Sequence, residues 1–451
     1  MGLDWDDLPP ALKPYYQTEE PNQPILLYEG DLQIQVAETE VAGSGQIHFK
    51  WFPYPQAEFN AFVNELPRPD VVEAFLKLPG VKDPVRVFIS STNHSDSANG
   101  TSMQITGRLR ERMEIGSSRC LSYVQFHLTN FTRFMGNGTA VIEDGEARFL
   151  AQRITFGQDD WRVTIDELQT TTSRLKSVKS QGGYVITHIG KLEKLDSTTF
   201  AAEEARQFLK CFDYFLSFLQ GFRTSPLLLV GYDSMDLPVW KELSVSNAAP
   251  WKSLFTWSEG LSSRDLVTVV SGFFSWWKDW GDSARIVIHW YLESFQSGTV
   301  EGACILEAAA LELLAWVKFE DEFRDDLSRK QKKFGYASQK LNYLLASSGI
   351  PQAIPIELND ITSLAARQNW RNGAQTFCAI RNNITHAAPE NRERLTDISV
   401  AARVEARELG LWYVELILLR LFNYKGQYFN RLPRGIRWIG DLEPVPWFGE
   451  G

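Results

Sequence analysis

The apolar residues of this chain recur with two different spacings. From about residue 25 they recur at every second position: Leu32, Ile34 and Val36 alternate with polar neighbours, as do Val124, Phe126 and Leu128, and again Trp161, Val163 and Ile165. A period of two places one set of side chains on one face of a strand, so these segments are expected to be strands with a single buried face. The apolar runs Val85–Ile89 and Tyr184–Ile189 fit the same description. Turn signals at Glu29-Gly30-Asp31, Asn137-Gly138, Asp144-Gly145 and Gly182-Gly183 separate them. Many strands without intervening helices predict an antiparallel sandwich or barrel. The Ser-, Asn- and Gly-rich stretch Ser91–Ser102 reads as a mobile surface loop, and residues 1–24, rich in Pro and acidic side chains, as an irregular lead-in.

The helical period appears first after Thr199, a candidate N-cap followed by Glu203 and Glu204 in the first turn. Leu209, Phe212, Leu216 and Leu219 share a face, and Gly221 supplies the stop. Leu227–Val230 and Val239–Val245 return to strand. Beyond about residue 260 the helical period holds. Ser263 is a candidate cap for a helix carrying Leu266, Val270, Phe273 and Trp277; a second helix covers Ser283–Ser294; a third places Leu306, Ala309, Leu313 and Trp316 in register. Further helices are expected over Ala337–Ala346, Ile361–Gln368 and Ala374–His386, the last halted before Pro389. A long final helix with Asp397 as its cap carries Leu409, Trp412, Leu416 and Leu419. The fold class that follows is α+β: lead-in 1–24, a β-rich recognition domain over 25–258, and a helical bundle over 259–451.

Several function classes fall away. The phosphate-cradling loop, the dinucleotide fingerprint, the His-Glu-x-x-His helix, the calcium loop and the nucleophile elbow are all missing from the sequence. The four cysteines are isolated and the six histidines scattered, without metal-ligand spacing, so neither cofactor nor metal is expected. The apolar runs Leu266–Trp277 and Leu411–Phe422 fall short of the roughly 20 residues that a bilayer requires. An acidic start, Met1-Gly-Leu-Asp-Trp-Asp-Asp, is unlike a signal peptide. The expectation is a cytoplasmic protein without membrane contact, carrying a net charge of −10.

One short segment carries chemistry. Ala379-Ile380-Arg381-Asn382-Asn383-Ile384-Thr385-His386 places an Arg five positions before a His, with an amide directly after the Arg, late in a helix of an all-helical domain. It resembles the R-x4-6-H motif of the HEPN superfamily, over about residues 280–425; Arg381, Asn382 and His386 match that motif. The resemblance implies a helical bundle acting as a metal-independent endoribonuclease, with RNA as substrate, and often a homodimer. RNA supplies its own nucleophile, the 2′-hydroxyl. Strand cleavage then needs proton transfer, which His performs near neutral pH, and a planar donor fork for the phosphate, which Arg provides. Asn382 would orient the phosphate or the imidazole. Five residues at about 100° each set Arg381 and His386 roughly 140° apart, so a site shared across a two-fold axis is the expected arrangement. A large N-terminal region ahead of such a bundle is similar to the ApeA-type anti-phage proteins. That layout implies a nuclease used in abortive defence, latent until a phage-derived trigger reaches the N-terminal domain.

The same residues admit an account without chemistry, in which Arg381 lays its stem on the bundle and His386 ends a helix. The protein is then a scaffold, with a β domain that recognises a partner and a bundle that only dimerises. Two cation-rich stretches, Arg324–Lys340 and Leu416–Ile439, either track an RNA backbone with aromatics for stacking or form a solvated face and a packed tail. Glu307 and Glu312, five apart, do not share a helix face. Glu312 is the candidate to orient Arg381 or His386 from a neighbouring helix.

Overall fold

The computed structural model describes residues 8–67, 72–97, 100–143, 146–322, 335–386, 396–432 and 441–449. The chain divides into two compact units: Met1–Asp213 with Arg223–Ser253, and Tyr214–Phe222 with Leu254–Gly451. The fold is mixed α+β, β-rich first and helical second.

In the first unit, β1 (Ile25–Val36), β2 (Thr39–Lys50), β3 (Gln56–Val63), β4 (Glu73–Lys77), β5 (Val85–Ser97) and β6 (Gly100–Leu109) close a barrel in the order β1-β2-β3-β6-β5-β4. The alternation that marked β1 is visible in the result: Leu32, Ile34 and Val36 are all buried. Closure removes sheet edges and seals the alternate residues inside. A second, eight-stranded sheet follows, formed by β7 (Met113–Gly116), β8 (Tyr123–Thr129), β9 (Asn137–Glu143), β10 (Glu146–Gln158), β11 (Trp161–Glu167), β12 (Ile186–Lys194), β13 (Leu227–Tyr232) and β14 (Pro238–Leu243). Their order is β7-β14-β13-β8-β12-β11-β10-β9, with every neighbour antiparallel. Barrel residues and Ile186, Ile189, Leu227, Val230 and Leu243 of this sheet belong to one apolar core.

Two expectations are corrected here. Within Ser91–Ser102 the described residues are not loop: Ser91–Ser97 and Gly100–Ser102 belong to β5 and β6, where Ser91, Thr92, Asn93 and His94 face Thr106, Ile105, Gln104 and Met103. Backbone pairing at a barrel hairpin needs no apolar pattern, so polar composition misled. The strands are also interrupted, by α1 (Thr171–Gln181) in the β11–β12 connection. Its sequence buries only Thr171, Leu175 and Val178, too few for a visible stripe.

The lead-in has no helix or strand over residues 8–24 beyond one bridge from Pro10 to Ala140, yet it is pinned. Leu12 N–H donates to Asp166 Oδ2 at 2.7 Å, Tyr15 N–H to Gln125 Oε1 at 2.7 Å and Tyr16 N–H to His127 Nε2 at 3.2 Å. Three buried polar side chains on the sheet thus satisfy a segment that has no ladder of its own.

Helix α2 (Ala202–Gln220) begins in the first unit, with Phe208 and Phe212 against Trp161, Phe126 and Phe156. Thr199 does not cap it, because Phe200 is bridged to Leu121 on both sides; Glu204 instead accepts from Ala201 N–H. Gly221, at φ +72°, ends the helix.

The second unit takes the end of that helix together with α3 (Ser263–Trp280), α4 (Asp282–Gln296), α5 (Val300–Glu322), α6 (Ala337–Ser347), α7 (Asn359–Gln368), α8 (Gly373–Thr385) and α9 (Val400–Leu421). A ribbon of β15 (Gln427–Tyr428) and β16 (Glu443–Pro444) follows. The caps sit one or two residues from the expected ones. Ser262, not Ser263, closes a reciprocal box with Asp265, and Ser399, not Asp397, accepts from Ala402 N–H. The central helix α9 is buried on every side from Leu409 to Leu419, as an apolar surface all round requires. The helix expected over Ala374–His386 runs over Gly373–Thr385; Pro389 and the expected turn at Asp144-Gly145 lie outside the described residues, as does Arg324–Lys333. Among the described residues, no helix is long and apolar enough to cross a membrane, and no group of three His, Cys, Asp or Glu is arranged to hold a metal ion.

Candidate functional site

Helix α8 carries Arg381, Asn382 and His386. It starts cleanly, with the Asn372 side chain accepting from Gln375 N–H at 2.9 Å. Phe377 and Ile380, three apart, are buried and fix its rotation. Arg381, one step beyond Ile380, runs along the edge of that face. Its side chain is only 15% exposed, and Nη2 donates to Glu312 Oε1 on α5. Glu312 was expected to reach one of the motif residues from a neighbouring helix, and it reaches Arg381. The Arg381 Nε is buried without a partner, and burial lowers the guanidinium's affinity for its proton. An arginine stays charged regardless. Around it Glu312, Lys340, Leu341, Phe377 and Cys378 line a shallow cleft between α5, α6 and α8.

His386 stands apart from Arg381. It is the C-terminal cap of α8, extended at φ −95°, ψ 121°, with its N–H on Asn382 O at 3.0 Å and its side chain exposed. The Asn382 side chain is half-buried; it is Asn383 that turns into the core. Within one chain, the structure brings Arg381 to Glu312 and leaves His386 in solvent. The two motif residues do not converge.

Two residues near Arg381 escaped sequence reasoning. Trp316 was assigned to the core stripe of α5, but it is 45% exposed, and Lys340 Nζ lies 5.4 Å from its ring centroid. The C-terminal stretch corrects the other way. Phe422, Tyr424, Tyr428 and Phe429 are buried, so they do not offer faces to bases. Arg431 is buried too, forked onto Glu415 at 2.7 and 2.9 Å and bonded to Glu408 at 3.1 Å. Arg434, Arg437 and Trp438 lie outside the described residues.

Beneath the cleft Glu307 is fully buried, and neither carboxylate oxygen has a hydrogen-bond partner. Burial pushes its carboxyl well above the usual range, with Arg407 opposing. Burial without a partner thus favours its protonated form.

Comparison with known proteins finds partial matches. Residues 277–443 match the YopA C-terminal domain and residues 116–254 the YopA central domain. The chain is also 25% identical over 446 residues to the SPbeta prophage-derived uncharacterized protein YopA of Bacillus subtilis (strain 168), covering 97% of this chain and 98% of that protein. No solved structure matches.

Proposed function

We propose that the protein is a metal-independent endoribonuclease of HEPN type, assembled as a homodimer and held latent. The observation that carries this reading is the presence, late on one helix of a mainly helical unit, of both a sheltered guanidinium and an imidazole open to solvent. Arg381 would take a non-bridging phosphate oxygen and stabilise its growing charge. His386 would move the proton, removing it from the 2′-hydroxyl or delivering it to the leaving oxygen. Asn382, beside both, would donate to the phosphate. Because the two ends point apart, the reading requires the Arg of one copy and the His of the other at a single linkage, across a two-fold axis.

Latency follows from Glu312. Its carboxylate takes Nη2 of the donor fork that a phosphate needs, so RNA must displace it. A trigger acting at the β-rich unit, of phage origin if the protein is a defence effector, would favour the displaced state. The prophage derivation of the YopA relative supports a role in phage biology.

The same ion pair favours the second reading, a non-catalytic scaffold, since an Arg381 already paired with Glu312 needs no phosphate to balance its charge. Cleavage of a labelled single-stranded RNA by the purified protein separates the two. Activity is expected to survive excess chelator, to fall at least a hundredfold in Arg381→Ala and in His386→Ala with the dimer intact, and to rise in Glu312→Gln. Wild type and Glu312→Gln both inert towards RNA would leave the scaffold standing.

A further inference from the structure

The β-rich unit contains a cleft of about 560 Å³, within the range that encloses small ligands. Its walls are the pinned lead-in, β9 and the turn from β11 into α1. Leu12, Pro14, Ala140, Val141, Leu168 and Ile186 make it largely apolar. The cleft is a built feature, because the lead-in backbone that forms one side is held off the sheet by Asp166, Gln125 and His127.

Glu167 also lines the cleft, with Oε1 paired to Arg133 at 2.8 Å and Oε2 without a hydrogen bond, and three further polar groups have no side-chain partner among the described residues. The Arg174 guanidinium is half-buried, paired with no carboxylate, and its proton affinity is lowered by burial alone. Tyr16, buried, keeps a hydroxyl with no hydrogen bond. Lys13 adds a second cation at the rim. Arg174 also stands in the first turn of α1, which has no acidic residue and no side-chain cap, so the helix end adds to the positive field rather than cancelling it. An unpaired guanidinium partly withdrawn from water favours an anionic partner.

We infer that this cleft binds a small amphiphilic anion: an apolar body of one or two fused rings against Leu12, Val141 and Ile186, with a carboxylate, sulfonate or phosphate on Arg174 and Lys13. The inference is independent of the nuclease reading, and its test involves no RNA.

The probe is 8-anilino-1-naphthalenesulfonate, titrated into the full chain and followed by fluorescence, beside N-phenyl-1-naphthylamine, which keeps the rings and lacks the charge. Wild type is expected to bind the sulfonate saturably, one per chain and at least tenfold tighter than the neutral dye. Arg174→Met keeps the aliphatic stem and removes the charge; it is expected to weaken the sulfonate about tenfold and leave the neutral dye unchanged. Val141→Trp, which fills the cleft, is expected to weaken both dyes. The inference is overturned if the neutral dye binds wild type as tightly as the sulfonate, if Arg174→Met leaves the sulfonate within twofold, or if both dyes are indifferent to Val141→Trp. A melting curve on each variant identifies any that fails to fold, and Arg174→Gln then replaces Arg174→Met.

Discussion

Glu307 shows what a single side chain can cost. Both oxygens are sealed and unpaired, and its carboxyl titrates far above the 4.5 of an exposed glutamate. The unfolded chain therefore releases this proton first as pH rises, and the group works against folding increasingly above pH 4.5. Glu307→Met is expected to stabilise the helical unit by about 1–3 kcal/mol at pH 8 and by less at pH 4, read from denaturant midpoints. Arg431 is the opposite case, a buried cation satisfied on all sides. Arg431→Met strands Glu415 and is expected to cost about 3–5 kcal/mol. In the β-rich unit burial lowers His127 to about 4 and His188 to about 3. The unfolded chain protonates first near 6.5, so these histidines favour the native state above that pH. Their contribution drains away between pH 6.5 and 4, by roughly 3 kcal/mol each. His188→Phe joins Phe131 and Phe134 and leaves no orphaned Nε2; unfolding of that variant should lose part of its acid sensitivity. An unchanged pH profile would contradict the assignment.

Among the elements, α3 and the end of α9 meet where no side chain fits. A Cβ on Gly272 would lie 1.9 Å from Phe422 O. Gly272→Ala must part the two helices, at an expected cost of about 1–3 kcal/mol, visible as a lower melting temperature with the far-ultraviolet spectrum retained. The sequence disclosed elements in proportion to how one-sided they are. Strands such as β1 and β11 declare themselves through alternation, and α3 and α8 through their stripes. Helix α1 is polar along most of its length, and the β5–β6 hairpin is held by backbone bonds, so neither leaves a periodic trace. At the candidate site, Arg381, Asn382 and His386 are legible from local spacing. The Arg381–Glu312 bond joins residues 69 apart, and the exposure of Trp316 depends on what does not pack against it. Pairings of that kind are decided by tertiary structure.

At the scale of the molecule, the two units do not divide the chain at one point. The expected boundary at residues 258 and 259 leaves Phe215, Phe218 and Trp257 outside the helical piece. Yet Phe218 sits 5.1 Å from the Trp257 ring, 5.2 Å from Tyr291 and 5.7 Å from Phe422, and Phe215 lies 5.3 Å from Phe273. A fragment of residues 259–451 is therefore expected to collapse without fixed packing, retaining helical circular dichroism but losing its near-ultraviolet aromatic signal.

The separation of Phe218 from Phe422 along the chain also has a consequence during synthesis. At about 5–20 residues per second, the aromatic end of α2 waits some tens of seconds for the residues that cover it. Until then the nascent bundle lacks the partner of its own aromatic seam.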